Sequence, residues 1–365
     1  MKNINLYITL LYVLSFFNVF GQEELNLSQA IEMGLKNNFQ IQISQKNIEI
    51  TQNNNNWGQA GRYPTVNFRL TQGNRIQNNN NPTSFIQGQI TSNNLSPSLE
   101  ANWTLFNGFE VSITKEQLVQ LQKQSMGNAQ IIIENTIQAI TIAYYRQLFE
   151  LKKLEIIKQA FNLSKDKYFY LLDKKAFGVS TTFEVLQEKT AYLNDSLNVI
   201  TQQYNVENTQ RNLNLLLAID SETMHSFSSK LILPSNEYLL EDLEKKMLEN
   251  NQSLQNQYIN LAIFKQNTAL QKSAMYPTLS LNLGTSYNAS RLERGEQSAT
   301  GESNDYYANF VLNFTLFNGN KIKTAIKNAH IQEEIANIEK EELSFNLKNQ
   351  LRNFHSNYSI QQQRY

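Results

Sequence analysis

Val66, Phe68 and Leu70 alternate with Asn67, Arg69 and Thr71, and Leu99, Ala101, Trp103 and Leu105 alternate with Glu100, Asn102 and Thr104. A period of two marks a strand with one apolar face. The two stretches predict a strand pair joined by the polar loop QGNRIQNNNNPTSFIQGQITSNN, too long for a tight hairpin. The pattern returns at Leu279, Leu281 and Leu283, and again at Phe310, Leu312, Phe314 and Leu316, around the loop NASRLERGEQSATGESND. Ahead of the first pair, Ala30, Ile31, Leu35, Ile41, Ile48 and Trp57 sit among Gln, Asn and Lys. They predict a polar-faced helix from Ser28 to about Gly61, capped by Asn26 or Ser28 and stopped by Pro64.

The recurrence extends to the letters. Tyr63-Pro64-Thr65 reappears as Tyr276-Pro277-Thr278 and Asn37-Asn38 as Asn250-Asn251, both at an offset of 213 residues. The pentapeptide Thr-Leu-Phe-Asn-Gly occurs at 104–108 and at 315–319, an offset of 211. The chain is therefore two copies of one unit, and the order helix, strand, loop, strand holds in both. The first repeat runs over 22–233, with a strand hairpin about 65–106 and a long helical hairpin about 108–218. The second runs over 234–365, with a helix about 239–274, a hairpin about 278–317 and a descending helix from about 319.

Between Gly108 and Phe177 there is no proline, and the only glycine is Gly127. A helix over that span would reach about 100 Å at ~1.5 Å per residue. Leu154, Ile157, Phe161, Ser164, Tyr168 and Leu171 step by three and four; past Gly178 so do Leu193, Leu197, Ile200 and Tyr204, with Leu186 one heptad earlier. These are heptad seams on two helices that reverse at AFGVSTT, where Gly178 permits the turn and Ser180 or Thr181 caps the returning helix.

Composition removes several functions. Lys plus Arg and Asp plus Glu are 32 each, so no basic field exists for nucleic acid. The absence of cysteine excludes disulfides, thiolate metal sites and a thiol nucleophile. His225, His330 and His355 are far apart and read as solvated surface; no phosphate loop, nucleophile elbow or dinucleotide fingerprint is present. No catalytic residue, cofactor site or metal site is assigned. Met1-Lys2-Asn3, an apolar run over 6–20 and the small Gly21 make the three-part pattern of a secretory signal, residues 1–21.

Four aromatic-rich, one-faced strands of about ten residues fit a bilayer-crossing barrel. Two soluble hairpins packed on another layer fit the same alternation, and so does a periplasmic or surface coiled-coil scaffold without a pore. Joining strands to helices of such length favours a molecule that spans both a membrane and an aqueous gap. Four strands cannot stay open in lipid, because the edge amides would be unsatisfied. Eight strands from two copies would nearly fill with side chains, whereas twelve from three copies leave a pore.

In this order the parts resemble the TolC-like outer-membrane efflux proteins, the channel component of tripartite export systems. The resemblance rests on the two halves, the Tyr-Pro doublets, the Leu-Phe-Asn-Gly exits and FGVSTTFEVLQEKTAYLNDSLNVITQQYNVENTQRNLNLLLAI, with its Gly-hydrophobic-Ser turn and Glu184-Val185-Leu186. It implies a homotrimer whose twelve-stranded β-barrel, four strands per protomer, continues into an α-helical coiled-coil barrel reaching from the outer membrane into the periplasm. The partners it implies are outer-membrane lipid, a periplasmic adaptor that docks at Phe177, Gly178, Val179, Ser180 and Thr181, and an inner-membrane pump of a resistance or polypeptide-exporting kind. Tyr63, Pro64, Phe106, Asn107, Gly108, Tyr276, Pro277, Phe317, Asn318 and Gly319 would form the barrel-to-tunnel transitions. The second Gly-hydrophobic-Ser turn would fall beyond Tyr365, so the sequence is expected to be a fragment and no gate residues are assigned.

Overall fold

A computed structural model describes residues 24–83, 87–227 and 236–363. The expected signal segment 1–21 and the expected join of the repeats at 233 and 234 lie outside the described residues. In chain order the elements are β1 (Glu24–Leu25), α1 (Leu27–Asn37), α2 (Phe39–Asn54), β2 (Thr65–Asn79), β3 (Gly88–Asn107), α3 (Glu110–Ala176) and α4 (Thr182–Leu217). They continue with β4 (Ser226–Phe227), α5 (Leu240–Asn250), α6 (Gln252–Ser273), β5 (Thr278–Arg294), β6 (Gln297–Asn313) and α7 (Lys321–Gln363). Two compact units result, Met1–Gln45 with Ala129–Glu237 and Lys46–Asn128 with Tyr238–Tyr365.

The first unit is built on the hairpin of α3 and α4. Its core gathers Leu25, Ala30, Ile140, Tyr144, Leu148, Leu213 and Leu217. The Tyr144 hydroxyl donates to the Leu25 carbonyl at 2.9 Å, and beside it β1 and β4 make a short parallel pair. Asn26 caps α1 through a reciprocal capping box with Gln29.

The seam on α3 is where the heptads place it, with Ser164 buried and its neighbours half-buried. On α4 the expectation fails: Leu186, Leu193, Leu197, Ile200 and Tyr204 are exposed. The inward face is instead Val185, Tyr192, Gln202, Thr209 and Leu213. Tyr192 stacks between Phe161 and Tyr168, at 5.5 and 5.7 Å. Farther along, Thr209 donates to Gln147, Gln147 to Gln210, and Gln210 to Asn214. A satisfied amide chain fills the seam where leucine was expected, so hydropathy pointed to the wrong side of α4.

In the second unit the antiparallel sheet has the order β2-β3-β5-β6. Val66 faces Ala101, Ala101 faces Leu283 and Leu283 faces Ala308. Phe68, Leu99, Leu281 and Phe310 lie on that same apolar side. The other side carries Asn102, Asn282 and Asn309 in one cross-strand row. No helix of the described residues is long and apolar enough to cross a membrane.

The strands are longer than expected, 15, 20, 17 and 17 residues. Much of both polar loops is ladder, and the second hairpin closes in two residues with Gly295 at φ 53°. Backbone pairing continues where both faces turn polar and the alternation that betrays a strand vanishes. The first helix of each repeat is also interrupted, at Asn38 and Asn251, and the first copy ends at Asn54 rather than near Gly61. Asn38 Oδ1 accepts from the Gln40 amide at 2.9 Å and Asn251 Oδ1 from the Leu254 amide at 3.0 Å. The side chain that restarts each helix is the reason it breaks.

An amide seam fixes the register of α3 against α6. Gln117 donates to Asn267, Gln124 to Asn260, and Asn256 to Asn128. Gly127 lies under the Asn256 side chain, where a Cβ would collide.

Candidate functional site

Two places combine the sequence-singled residues, the strand-to-helix junctions and the tip of the helical hairpin. At the first junction Gly108 and Phe109 are both left-handed, φ 66° and 69°; at the second Gly319 and Asn320 are, φ 67° and 64°. Paired left-handed residues turn the chain from strand to helix within two positions. Sequence reasoning named the glycines and missed Phe109 and Asn320; the signal was that each directly follows the repeated pentapeptide.

The surroundings of the two junctions differ. Phe109 stands edge-on to Phe106 at 5.3 Å and to Tyr276 at 6.1 Å. Gly108 touches the Ser273 carbonyl and lies where a Cβ would be 2.9 Å from that of Tyr276. Asn107 accepts from the Val111 amide at 3.4 Å, holding the first turn of α3. Around Gly319 nothing lies within 4 Å of a built Cβ. Phe314, Leu316 and Phe317 line an open apolar groove with Met275, Ile322 and Ile326.

The expected hairpin end at 317 is therefore corrected: β3 runs through Phe106 and Asn107, but β6 stops at Asn313. Thr104, Phe106 and Asn107 have β5 beside them, with a bulge at Leu105, whereas β5 begins opposite Asn313 and offers the second pentapeptide no partner. Phe317 and Asn318 thus lie outside the strand. At the doublets, β2 and β5 start immediately after Pro64 and Pro277. Arg62 lies 4.7 Å above the Trp57 ring and its carbonyl accepts from Trp103 Nε1 at 2.9 Å, a cluster beside Tyr63 that the sequence did not reveal.

At the tip, Gly178 has φ 76°. Its amide donates to the Lys175 carbonyl and the Val179 amide to the Lys174 carbonyl, both at 2.9 Å, closing α3 with a Schellman motif. Thr181, rather than Ser180, is the cap of α4, and Glu184 returns the bond to the Thr181 amide at 2.8 Å. That amide, with the Ser180 and Thr181 hydroxyls, holds the Glu184 carboxyl below the usual carboxylate range. Phe177, Val179 and Phe183 project into solvent at 83, 70 and 76% exposure, so a rigid turn presents three apolar side chains. His225, expected to be solvated, is half-buried; burial lowers its pKa and Nε2 has no hydrogen-bond partner among the described residues.

Nothing in either place is arranged for bond-making, and among the described residues no cluster of acids and histidines is placed to hold a metal. What the junctions do is carry a sheet with an apolar face directly into long helices.

Residues 243–364 match the family described as Outer membrane efflux protein, a match lying within the second repeat. No curated protein sequence matches the chain. Among solved structures, the outer-membrane channel OprN shares 16% identity at a TM-score of 0.70, covering 93% of this chain and 75% of that one. The Campylobacter jejuni CmeC outer membrane channel shares 14% at 0.69, covering 93 and 72%. CusC, reported with the conformational changes accompanying its folding and transmembrane channel formation, shares 14% at 0.68, covering 90 and 74%. At such identities the likeness is one of fold, and it extends over both repeats. The resemblance read from the sequence holds at the family level in the second repeat and at the fold level throughout.

Proposed function

We propose that the protein is the outer-membrane channel-tunnel of a tripartite efflux or type I secretion system, a passive exit duct that reaches from the outer membrane into the periplasm. The observation that carries this reading is the passage from a sheet with an exposed apolar face, through the Gly108-Phe109 turn, into a helix of 67 residues. Val66, Phe68, Phe310 and Leu312 leave most of their surface open on that face. A soluble coiled-coil scaffold has no use for such a face, whereas lipid covers it.

Three copies supply twelve strands and remove both free edges, the condition for stability in hydrocarbon. In this reading Tyr63, Pro64, Phe106, Asn107 and Gly108, with Tyr276, Pro277, Phe317, Asn318 and Gly319, make the passage from barrel to tunnel. The projecting tip of Phe177, Gly178, Val179, Ser180 and Thr181 receives a periplasmic adaptor, which joins the duct to an energised inner-membrane pump. The family match and the shared channel fold support the reading.

The test is to purify the full chain from outer membranes and add it to planar lipid bilayers. Stable stepwise conductance with a trimer in detergent is expected. A protein that carbonate washes from the membrane, or that gives no conductance, defeats the reading.

A further inference from the structure

The two repeats differ in what their exits touch. The exit strand of the first, β3, pairs with the first strand of the second repeat, β5, and the Gly108 turn packs on Ser273 and Tyr276. The exit strand of the second, β6, has no second neighbour among the described residues, and neither has β2. The hairpin registers of the two copies are nevertheless the same. Thr65 faces Asn102 and Thr278 faces Asn313, pairs related by the offsets of 213 and 211 found in the sequence.

From this we infer the register of a contact that one chain does not contain: β6 pairs with β2 of a second copy as β3 pairs with β5, bulge included. The inference rests on the trimeric reading above and says which residues meet. Trp103 faces Leu281, so Phe314 faces Phe68 of the partner subunit; Ala101 faces Leu283, so Leu312 faces Leu70 of the partner subunit. Phe106 faces Leu279, so Phe317 faces Val66 of the partner subunit. The Gly319 turn then settles on Ala60 and Tyr63 of the partner subunit, as Gly108 settles on Ser273 and Tyr276.

Three observations independent of the offsets agree. The six strand residues said to meet are all exposed, Phe314 at 55% and Phe68 at 69%, Phe317 at 80% and Val66 at 62%. The transferred register sets apolar side against apolar side, which a slip of one residue would reverse. It also gives residues 314–317 the strand partner whose absence ends β6 at Asn313. The second pentapeptide becomes strand on assembly, like the first.

The chain has no cysteine, so paired substitutions report the register without background. Leu312→Cys is combined with Leu70→Cys, with Phe68→Cys or with Gln72→Cys in the full chain, and outer membranes are oxidised. A short thiol-bridging reagent is used in parallel. Ala101→Cys with Leu283→Cys, the equivalent pair inside one chain, calibrates the geometry and leaves the mass unchanged. Covalent dimers and trimers are expected from the Leu70 pairing, at least about tenfold above the other two. Stronger linkage at Phe68 or Gln72, or none at all in a protein that still runs as a trimer, overturns this register and leaves the channel reading standing. A protein that is monomeric in its membrane removes both.

Discussion

Gly108 rests on the carbonyl oxygen of Ser273 with no room between them for a Cβ, and its φ of 66° lies where side chains are strained. The Gly108→Ala substitution adds a backbone clash to a left-handed strain, and a loss of ~2 kcal/mol or more is expected. The measurement is the yield of heat-resistant assembled protein in outer membranes. Gly319→Ala carries the same backbone strain, yet within one chain it meets nothing. The milder effect of the two should therefore appear in an unassembled protein.

Asn214 is fully buried and its amide reaches the carbonyls of Asp220, Ser221 and Thr223 at 3.2, 3.0 and 2.8 Å. Replacing it by leucine removes its bonds to that turn and breaks the chain that runs through Gln210 to Gln147. A destabilisation of ~2–3 kcal/mol is expected, read by denaturant unfolding. Asn214→Ala should cost no less, because the cavity adds to the lost bonds.

The tip should respond to acid. Glu184 has its pKa depressed by the Thr181 amide and neighbouring hydroxyls, so its contribution is fully present above the ordinary glutamate range and lost as pH falls through the lower folded value. The protection of amides 177–184 against hydrogen exchange, taken relative to the intrinsic rate at each pH, is expected to fall in that window. The Thr181→Ala variant should show faster exchange already at neutral pH, with ~1 kcal/mol of capping removed.

His225 runs on another range. Burial favours its neutral form, so the folded pKa lies below 6.5 and the unfolded chain binds the extra proton first as pH falls. Stability linked to this group is complete above 6.5 and declines below it. The His225→Phe variant should flatten the thermal stability profile between neutral and mildly acidic pH; an unchanged slope would remove the ring from the explanation.

Much of this was legible in the sequence, for reasons that can be named. The one-faced strands show because Val66, Phe68 and Leu70 need an apolar side and nothing else, and the repeat shows because Tyr-Pro and Phe-Asn-Gly fix backbone turns that few other residues make. The distal halves of the hairpins were unreadable because Asn74, Asn78, Asn93 and Asn94 pair through backbone alone, so their side chains carry no period. The inward face of α4 was misread because Gln202 is satisfied by Glu150, and Thr209 and Gln210 by Gln147, all on α3, leaving Leu193 and Leu197 outside. Asn38 and Asn251 were seen as matching letters, but a cap that interrupts a helix looks in sequence like one more polar residue.

The stagger of the sheet has a consequence for bore. Across one chain Thr65 lies level with Asn102, then Asn282, then Asn309. On the inferred seam Asn309 lies level with Gly73 of the partner subunit, so a circuit of one protomer climbs from position 65 to position 73. Three such climbs around twelve strands, at ~3.3 Å per residue and ~4.8 Å between strands, lean the strands by ~54° and set a backbone radius of ~16 Å. Untilted, the same twelve strands would close to ~9 Å. The lean converts a number of strands that side chains would largely plug into a wet opening, and the polar row of Asn102, Asn282 and Asn309 would wet its wall.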